Sequence, residues 1–291
     1  MKKFYRTIRL FTVLSGVLLS IHAAAAFDWP QTPVYADSFY SLFGQLRGTV
    51  FGTSLIFTEP EEITAAGDGI VLVEIGGESG EMGWFDSPLG NTVIVAHNDK
   101  LLSVYANLET VALDDQAEQV SIGTPLGKSG SSGWQQGKSS LEFQIVDTKN
   151  KTVINPRMLM PHMEAEQPLR LAGITAVSKQ GEVFDLRVRR TLPSGVYLLY
   201  RERPNTVMPY KTIVSVNGAA VETITFDMLN RNGNRIGVMG KKNYPVEAVY
   251  PDNTRQLLAE VTFSRGKNTL TVTAADINGT EYPLTYILDI K

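Results

Sequence analysis

The chain of 291 residues contains no cysteine and only three histidines, His22, His97 and His162. Without cysteine, the chain cannot form disulfide bonds, thiolate nucleophiles, thiolate zinc sites or a lipid-modified N-terminal cysteine. With so few imidazoles, few ways remain to build a strong metal site from side chains. The rest of the composition, 43% hydrophobic and 20% charged residues, is typical of a globular protein rather than a disordered or fibrous one.

The N-terminal segment has the organisation of a secretory signal peptide. Four basic residues come first: Lys2, Lys3, Arg6 and Arg9. An apolar stretch follows at 10–21, and a run of small residues at 23–26. The apolar stretch of about 12 residues is too short for the roughly 20 that cross a bilayer. We therefore expect residues 1–26 to be a signal peptide, cleaved after Ala26, and the mature chain to have no transmembrane anchor.

The charge of the mature chain excludes one class of partner. Cleavage would remove four positive charges and no negative ones, which moves the formal net charge from −3 to −7. Nucleic-acid binding needs clustered Lys and Arg side chains that neutralise phosphates. We therefore expect an acidic, exported protein, periplasmic or secreted, with no nucleic-acid partner.

Short strand signals dominate the chain after the signal peptide. A lead-in segment, residues 27–46, is aromatic and contains two prolines. Residues 47–161 then carry β-branched or aromatic runs that close at Gly, Asn, Asp or Ser. Prolines at 161 and 168 indicate a domain boundary. Strand signals resume over 168–291 with turn residues between them, a spacing that predicts an immunoglobulin-like β-sandwich. The predicted fold class is all-β, with two domains.

Five stretches of the first domain occur in a familiar order and spacing. They are 65–71, the pair 92–97 and 103–108, the run 120–130, the strand 140–145, and Asn155-Pro156. Together they resemble the lysostaphin and LytM-type zinc endopeptidases, which cut peptidoglycan cross-links. The resemblance implies a LytM-like β-sheet and barrel-sandwich domain with the duplicated hybrid motif fold. No single stretch would carry the resemblance alone.

The resemblance also shows which functional positions have changed. It places the family's zinc ligands at Val50, Ser54 and Glu142, and its two catalytic histidines at Asn107 and Ser140. A hydrolytic zinc ion needs three protein lone-pair donors and an open position for water. Val50 offers no lone pair, and one carboxylate cannot hold zinc against water. We therefore expect no metal, no other cofactor and no catalytic residues.

The altered positions could still line a binding groove. Along 140–145, polar and apolar residues alternate, so Ser140, Glu142 and Gln144 share one face of the strand. With Ser54 and Asn107 they form a candidate binding groove, which the lead-in segment could cover. The alternative is that these residues are only the solvated face of an antiparallel sheet.

Degenerate members of this family regulate cell-wall amidases, so the resemblance implies a non-catalytic envelope protein. Its partner would be peptidoglycan or a cell-wall hydrolase such as an amidase, and the second domain would be a spacer or a second contact. One alternative is an active zinc endopeptidase that uses Glu142 and His97 as unusual ligands. Another is a purely structural envelope component without a groove. For His97 itself we predict a structural hydrogen bond to a backbone carbonyl.

Overall fold

The computed structural model describes residues 27–76, 87–113, 118–133, 139–203, 207–233 and 235–291. The predicted signal peptide therefore lies outside the described residues. Strands hold 52% of the chain and helices 4%, so the all-β prediction is confirmed. In the described part of the chain, no helix is long and apolar enough to cross a membrane.

The described residues of the first half of the molecule form twelve strands. They are β1 Phe39–Ser41, β2 Leu46–Arg47, β3 Val50–Phe51, β4 Leu55–Phe57, β5 Glu62–Thr64, β6 Gly69–Ile75, β7 Asn91–Ala96, β8 Leu101–Val111, β9 Gln119–Val120, β10 Pro125–Ser129, β11 Glu142–Asp147 and β12 Thr152–Ile154. Two 3₁₀ turns, Asn98–Lys100 and Pro156–Met158, follow β7 and β12. Val, Ile, Tyr and Phe dominate the long strands, because such side chains fit a pleated, half-buried surface.

The long strands β6, β7, β8 and β11 are neighbours in one antiparallel sheet, and β12 pairs with β11 on its far side. Alternate residues of each strand face a shared hydrophobic core, which contains Val93, Val95, Tyr105, Phe143 and Ile145. The residues between them lie on the opposite face of the sheet. Glu142 belongs to that opposite face, and this placement sets the candidate site apart from the core.

In the second half, the residues that the structure describes form another twelve strands and one short helix. They are β13 Thr175–Ser178, β14 Val183–Asp185, β15 Thr191–Leu192, β16 Gly195–Glu202, β17 Lys211–Val216, β18 Ala219–Thr225, β19 Met228–Asn232, β20 Arg235–Met239, β21 Asn243–Pro245, α1 Val246–Val249, β22 Arg255–Phe263, β23 Gly266–Ala275 and β24 Glu281–Ile290. Nine of the strands form two sheets, ordered β14-β13-β16-β22 and β15-β24-β23-β17-β18. The two sheets enclose a second core, which includes Phe184, Leu199, Val261 and Leu288. That this sandwich is immunoglobulin-like stays a prediction.

The other three strands of the second half join the sheet of the first half. Strand β19 pairs antiparallel with β12, with Leu229 opposite Val153, and β20 and β21 extend the sheet beyond it. Leu229, Val238 and Tyr244 then lie in the same core as Phe143 and Ile145. The two halves therefore share both a sheet and a hydrophobic core.

Candidate functional site

Glu142 lies at the centre of a compact polar cluster at the start of β11. Its Oε1 accepts a hydrogen bond from Arg47 Nη1 at 2.6 Å and another from Ser54 Oγ at 2.6 Å. The Arg47 and Glu142 side chains are 38% and 16% exposed, so the ion pair is only partly solvated. Charge-assisted bonds of this kind are short and strong. We call Arg47, Ser54 and Glu142 the Arg47–Glu142 cluster.

Local structure brings the three members of the cluster together. Arg47 ends β2, which forms a hairpin with β3 through Gly48 at φ +62°. Ser54 precedes β4, and Ile56 of β4 pairs directly with Glu142 on β11. The hairpin and β4 thus place the Arg47 guanidinium and the Ser54 hydroxyl beside the Glu142 carboxylate.

Asn107 lies at the centre of a second polar cluster, and its side chain is fully buried. Its Nδ2 donates hydrogen bonds to the Gly130 and Ser140 carbonyl oxygens, the second at 2.7 Å, and its Oδ1 accepts one from Gly133 N–H at 2.7 Å. The backbone of Asn107 has φ +66°, a left-handed conformation that asparagine tolerates better than most residues. Asn107 is 0% exposed and Ser140 is 1% exposed. The two positions that the resemblance assigns to catalytic histidines therefore hold a structural amide network.

The five candidate groove residues differ in how far the structure exposes them to solvent. Ser54 is also buried, whereas Glu142 and Gln144 are half-buried on the face opposite the core. A binding role for the five residues stays a prediction. A ligand in the groove would contact Glu142 and Gln144 directly. It would not touch the buried side chains of Ser54, Asn107 and Ser140, which could affect binding only by positioning their neighbours.

The residues at the expected metal position do not suit a metal ion. Ser54 and Arg47 both donate to Glu142 Oε1, so a cation would have to compete with a guanidinium for that oxygen. Val50 is 57% exposed on β3 and lines a separate cleft with Ile236 and Val246. In the part of the chain that the structure describes, no group of three His, Asp or Glu side chains is placed to hold a metal. A metal-free site stays a prediction, and the donor chemistry supports it.

His97 takes part in a directional chain of hydrogen bonds on the core side of the sheet. Its Nδ1 lies 2.7 Å from the Asp68 carbonyl oxygen and its Nε2 lies 2.7 Å from Ser103 Oγ. The Tyr105 hydroxyl lies 3.1 Å from Ser103 Oγ and accepts a bond from Ala66 N–H. Burial raises the pKa of Tyr105 to about 12, so its hydroxyl stays protonated, and its oxygen accepts a hydrogen bond from Ser103 Oγ. The predicted bond from His97 to a backbone carbonyl is confirmed.

The position of His97 also bears on the alternative zinc site. Ser103, which contacts His97, pairs with Ile145 on β11, and both lie on the core face. Glu142, three residues before Ile145, lies on the opposite face. The sheet therefore separates the two side chains that a Glu142–His97 zinc site would need together.

The chain of bonds predicts that stability depends on pH through His97. Burial lowers the pKa of His97, against the opposing effects of the Asp68 carbonyl and carboxylate. Because the unfolded state then binds a proton more readily, His97 contributes stability above its ordinary pKa of about 6.5 that is lost as pH falls through the lower folded value. We expect the urea midpoint to fall more between pH 7.5 and pH 5 in the native chain than in His97→Gln.

His162 provides the matched control for this measurement. Its ring lies on the surface, with Nδ1 at 2.6 Å from Asn278 Oδ1. The variant His162→Gln should keep the full drop in the urea midpoint. An equal drop in His97→Gln would show that another group causes it.

The floor of the candidate groove is apolar beyond Glu142. Val73, Ile94, Val104 and Gln144 form one row across β6, β7, β8 and β11, on the face opposite the core. Ile70 begins the next row and is 52% exposed, and Val73 is 39% exposed. Exposed apolar side chains that lie side by side indicate a contact surface more often than single ones do.

Sequence reasoning missed Arg47 and this apolar floor. Arg47 stands in a strand of two residues, too short to give a pattern, and its partner Glu142 is 95 residues away. The run 69–75 reads correctly as a strand. Its alternation is too weak, however, to show that Ile70 and Val73 face away from the core.

Comparisons with known proteins find similarity in both halves of the chain. The model of peptidase family M23 matches residues 49–156, and a second family model matches residues 168–291. The outer membrane antigenic lipoprotein B of Haemophilus influenzae is 28% identical over 148 residues, which are 51% of this chain and 33% of that protein. The chain thus spans about a third of the length of this curated relative. The M23 match includes Ser54, Asn107 and Glu142.

Two solved structures resemble part of the chain. The SpoIIQ–SpoIIIAH pore-forming complex matches at 18% identity with a TM-score of 0.35, over 46% of this chain and 90% of that chain. A mutant catalytic domain of the prophage-encoded M23 protein EnpA from Enterococcus faecalis matches at 24% identity with a TM-score of 0.35. This second match covers 46% of this chain and 96% of that chain.

Proposed function

We propose that the chain is an exported, non-catalytic protein of the cell envelope, and the match of residues 49–156 to the model of peptidase family M23 supports this proposal. Its groove would bind a peptidoglycan-processing enzyme, such as an amidase, and regulate it. The Arg47–Glu142 cluster carries the non-catalytic part of this proposal. The apolar floor of the groove carries the choice of a protein partner.

Arg47 supports the loss of catalysis more directly than the missing histidines do. A zinc site draws its ligands around a central positive charge, and here the guanidinium supplies that charge from the protein itself. Replacing it with zinc would leave Arg47 without its carboxylate and give zinc only one strong ligand. The internal ion pair thus keeps Ser54 and Glu142 in place without a metal.

Export to the envelope is supported by two independent features. The signal-like segment 1–26 predicts secretion, and the relative from Haemophilus influenzae is described as an outer membrane lipoprotein. The chain contains no cysteine, so a lipid-modified cysteine cannot be its anchor. We place the mature protein in a periplasm or outside the cell.

The groove floor supports a protein partner over a sugar polymer. The centre of a protein interface is depleted of charge and rich in apolar side chains, and the floor offers Ile70, Val73 and Ile94 to such a contact. Glu142 and Gln144 at one edge add polar contacts that fix orientation. The second candidate is peptidoglycan itself in the same groove, since these polar groups also suit a stem peptide.

One experiment tests the proposal: the purified protein is mixed with intact sacculi, alone and together with a cell-wall amidase of the same organism. We expect zinc well below one ion per chain, no products released by the protein alone, and faster release by the amidase. Val73→Asp should abolish the stimulation, because an unpaired carboxylate in an apolar interface costs several kcal/mol of binding free energy. This cost weakens the affinity by at least about tenfold.

Val183→Asp is the matched control, because Val183 is an exposed strand valine of the second half of the chain. It should stimulate the amidase as the native protein does. One zinc per chain with chelator-sensitive new peptide ends would overturn the non-catalytic proposal. Binding to sacculi that is lost in Val73→Asp, without any effect on the amidase, would favour peptidoglycan as the occupant of the groove.

A further inference from the structure

A second cleft lies away from the groove, between the lead-in segment and the chain that joins the two halves. Its volume is about 820 Å³, and it shares no lining residue with the Arg47–Glu142 cluster. Trp29, Tyr35 and Asp37 line one wall, and residues 161–165 and Gln167 line the other. Its size falls within the roughly 300–1,000 Å³ that is typical of sites for organic ligands.

Hydrogen bonds hold the two walls of the cleft together. Trp29 Nε1 donates to the Pro161 carbonyl at 3.1 Å, and Gln167 Nε2 donates to the Ala36 carbonyl at 3.3 Å. Trp29 also packs against the rings of Phe39 and Phe57, with centroids 5.8 and 6.5 Å away. The cleft is therefore built into the fold, which lowers the entropy cost of filling it.

The side chains at the rim of the cleft combine an aromatic surface with hydrogen-bonding groups. Tyr35 is 62% exposed, the most exposed aromatic side chain among the described residues. Asp37 and Glu164 add carboxylates, and Gln167 adds an amide. A flat apolar ring beside groups that accept and donate hydrogen bonds matches a pyranose, which has an apolar C–H face and a ring of hydroxyls.

We propose that this cleft binds a neutral saccharide chain, such as a run of N-acetylhexosamine units. Tyr35 would stack on a sugar ring, and Asp37, Glu164 and Gln167 would take hydroxyl and acetamido groups. This role goes beyond the proposed function, because it gives the protein a contact with the glycan that does not use the groove.

Charge and size argue against two other ligands. Asp37 and Glu164 would repel an anionic polymer, and the described residues that line the cleft include neither Lys nor Arg. An ammonium group would suit the carboxylates and the ring of Tyr35. However, it would fill only a small part of about 820 Å³. An extended, uncharged ligand with several rings uses the whole cleft.

The test titrates the protein with a neutral tetramer of β-1,4-linked N-acetylglucosamine and follows binding by calorimetry. We expect saturable binding that weakens about tenfold in Tyr35→Ala, which corresponds to about 1.4 kcal/mol. Glu164→Gln should weaken it less, because an amide keeps an acceptor at that position. Tyr35 is largely exposed, so its replacement should leave the unfolding midpoint unchanged and the loss can be assigned to the cleft.

Tyr40→Ala is the matched control, since Tyr40 is also exposed and in the lead-in segment but does not line the cleft. It should bind the tetramer as the native protein does. Equal weakening in both tyrosine variants, no saturable binding, or preference for a lysine-rich peptide over the tetramer would each overturn the proposal. Val73→Asp should bind the tetramer normally, so failure here and failure of the groove proposal are separate results.

Discussion

Replacing Asn107 with alanine should destabilise the protein by about 3 kcal/mol or more, because one side chain there satisfies three backbone groups. The Ser140 carbonyl and the Gly133 N–H would each lose a partner beside a fully buried side chain, whereas the Gly130 carbonyl would keep its bond from the Ser140 N–H. Each buried polar group left unsatisfied costs roughly 1–3 kcal/mol. The alanine Cβ would also have to adopt φ +66°, which adds strain.

Asn107→Gly separates the two causes of this loss. Glycine adopts a positive φ freely, so this variant loses the amide contacts but not the backbone conformation. We expect it to be more stable than Asn107→Ala by about 1 kcal/mol, and both to be less stable than the native chain. Urea unfolding followed by circular dichroism measures all three. A loss below about 0.5 kcal/mol in Asn107→Ala would mean that the network contributes little to stability.

The same network explains how far the sequence predicts the site. Alternation along 140–145 correctly places Glu142 and Gln144 away from the core, because the strand is regular. It cannot show that Asn107 is buried, because a positive φ within β8 turns the side chain toward the loop carbonyls. Strand patterns assume regular dihedral angles, so they fail at this residue.

Some features of the fold can likewise be predicted from the sequence, and others cannot. Short runs of β-branched and aromatic residues that end at turn residues are local signals, and they predict an all-β chain. The pairing of β19 with β12 joins residues that lie more than 70 positions apart. Nothing local in 228–232 distinguishes this partner from the strands of the sandwich. Long-range pairing depends on which core buries Leu229, and this requires the whole fold.

The shared core also changes how the second half of the chain is interpreted. A spacer would touch the first domain through a modest, polar interface. Here β19, β20 and β21 extend the sheet that carries Glu142, and their apolar residues complete its core. We therefore expect the first half and the sandwich to unfold as one cooperative unit rather than as a domain and a spacer.

Substitutions of Tyr250 test directly whether the two halves unfold as one unit. The ring of Tyr250 packs edge-on against Phe51, with centroids 5.8 Å apart, and its hydroxyl donates to the Gly44 carbonyl at 2.8 Å. Gly44 in turn lies so close to Phe226 that an added Cβ would come within 2.7 Å of that ring. Removing a buried aromatic side chain leaves a cavity and costs about 3–5 kcal/mol. Tyr250→Ala should therefore lower the stability of the entire chain.

Calorimetry distinguishes one cooperative unit from two. The core that contains both Phe51 and Tyr250 should couple the two halves. The native chain and Tyr250→Ala should then each unfold in a single transition, and the substitution should shift the midpoint of that transition. Tyr250→Phe should lose only about 1 kcal/mol, because it removes the hydrogen bond and keeps the ring. Tyr197→Phe, which loses a bond to the Pro193 carbonyl, is the control within the second core. Two transitions, of which Tyr250→Ala moves only one, would show that the halves fold separately and that the groove does not depend on the sandwich.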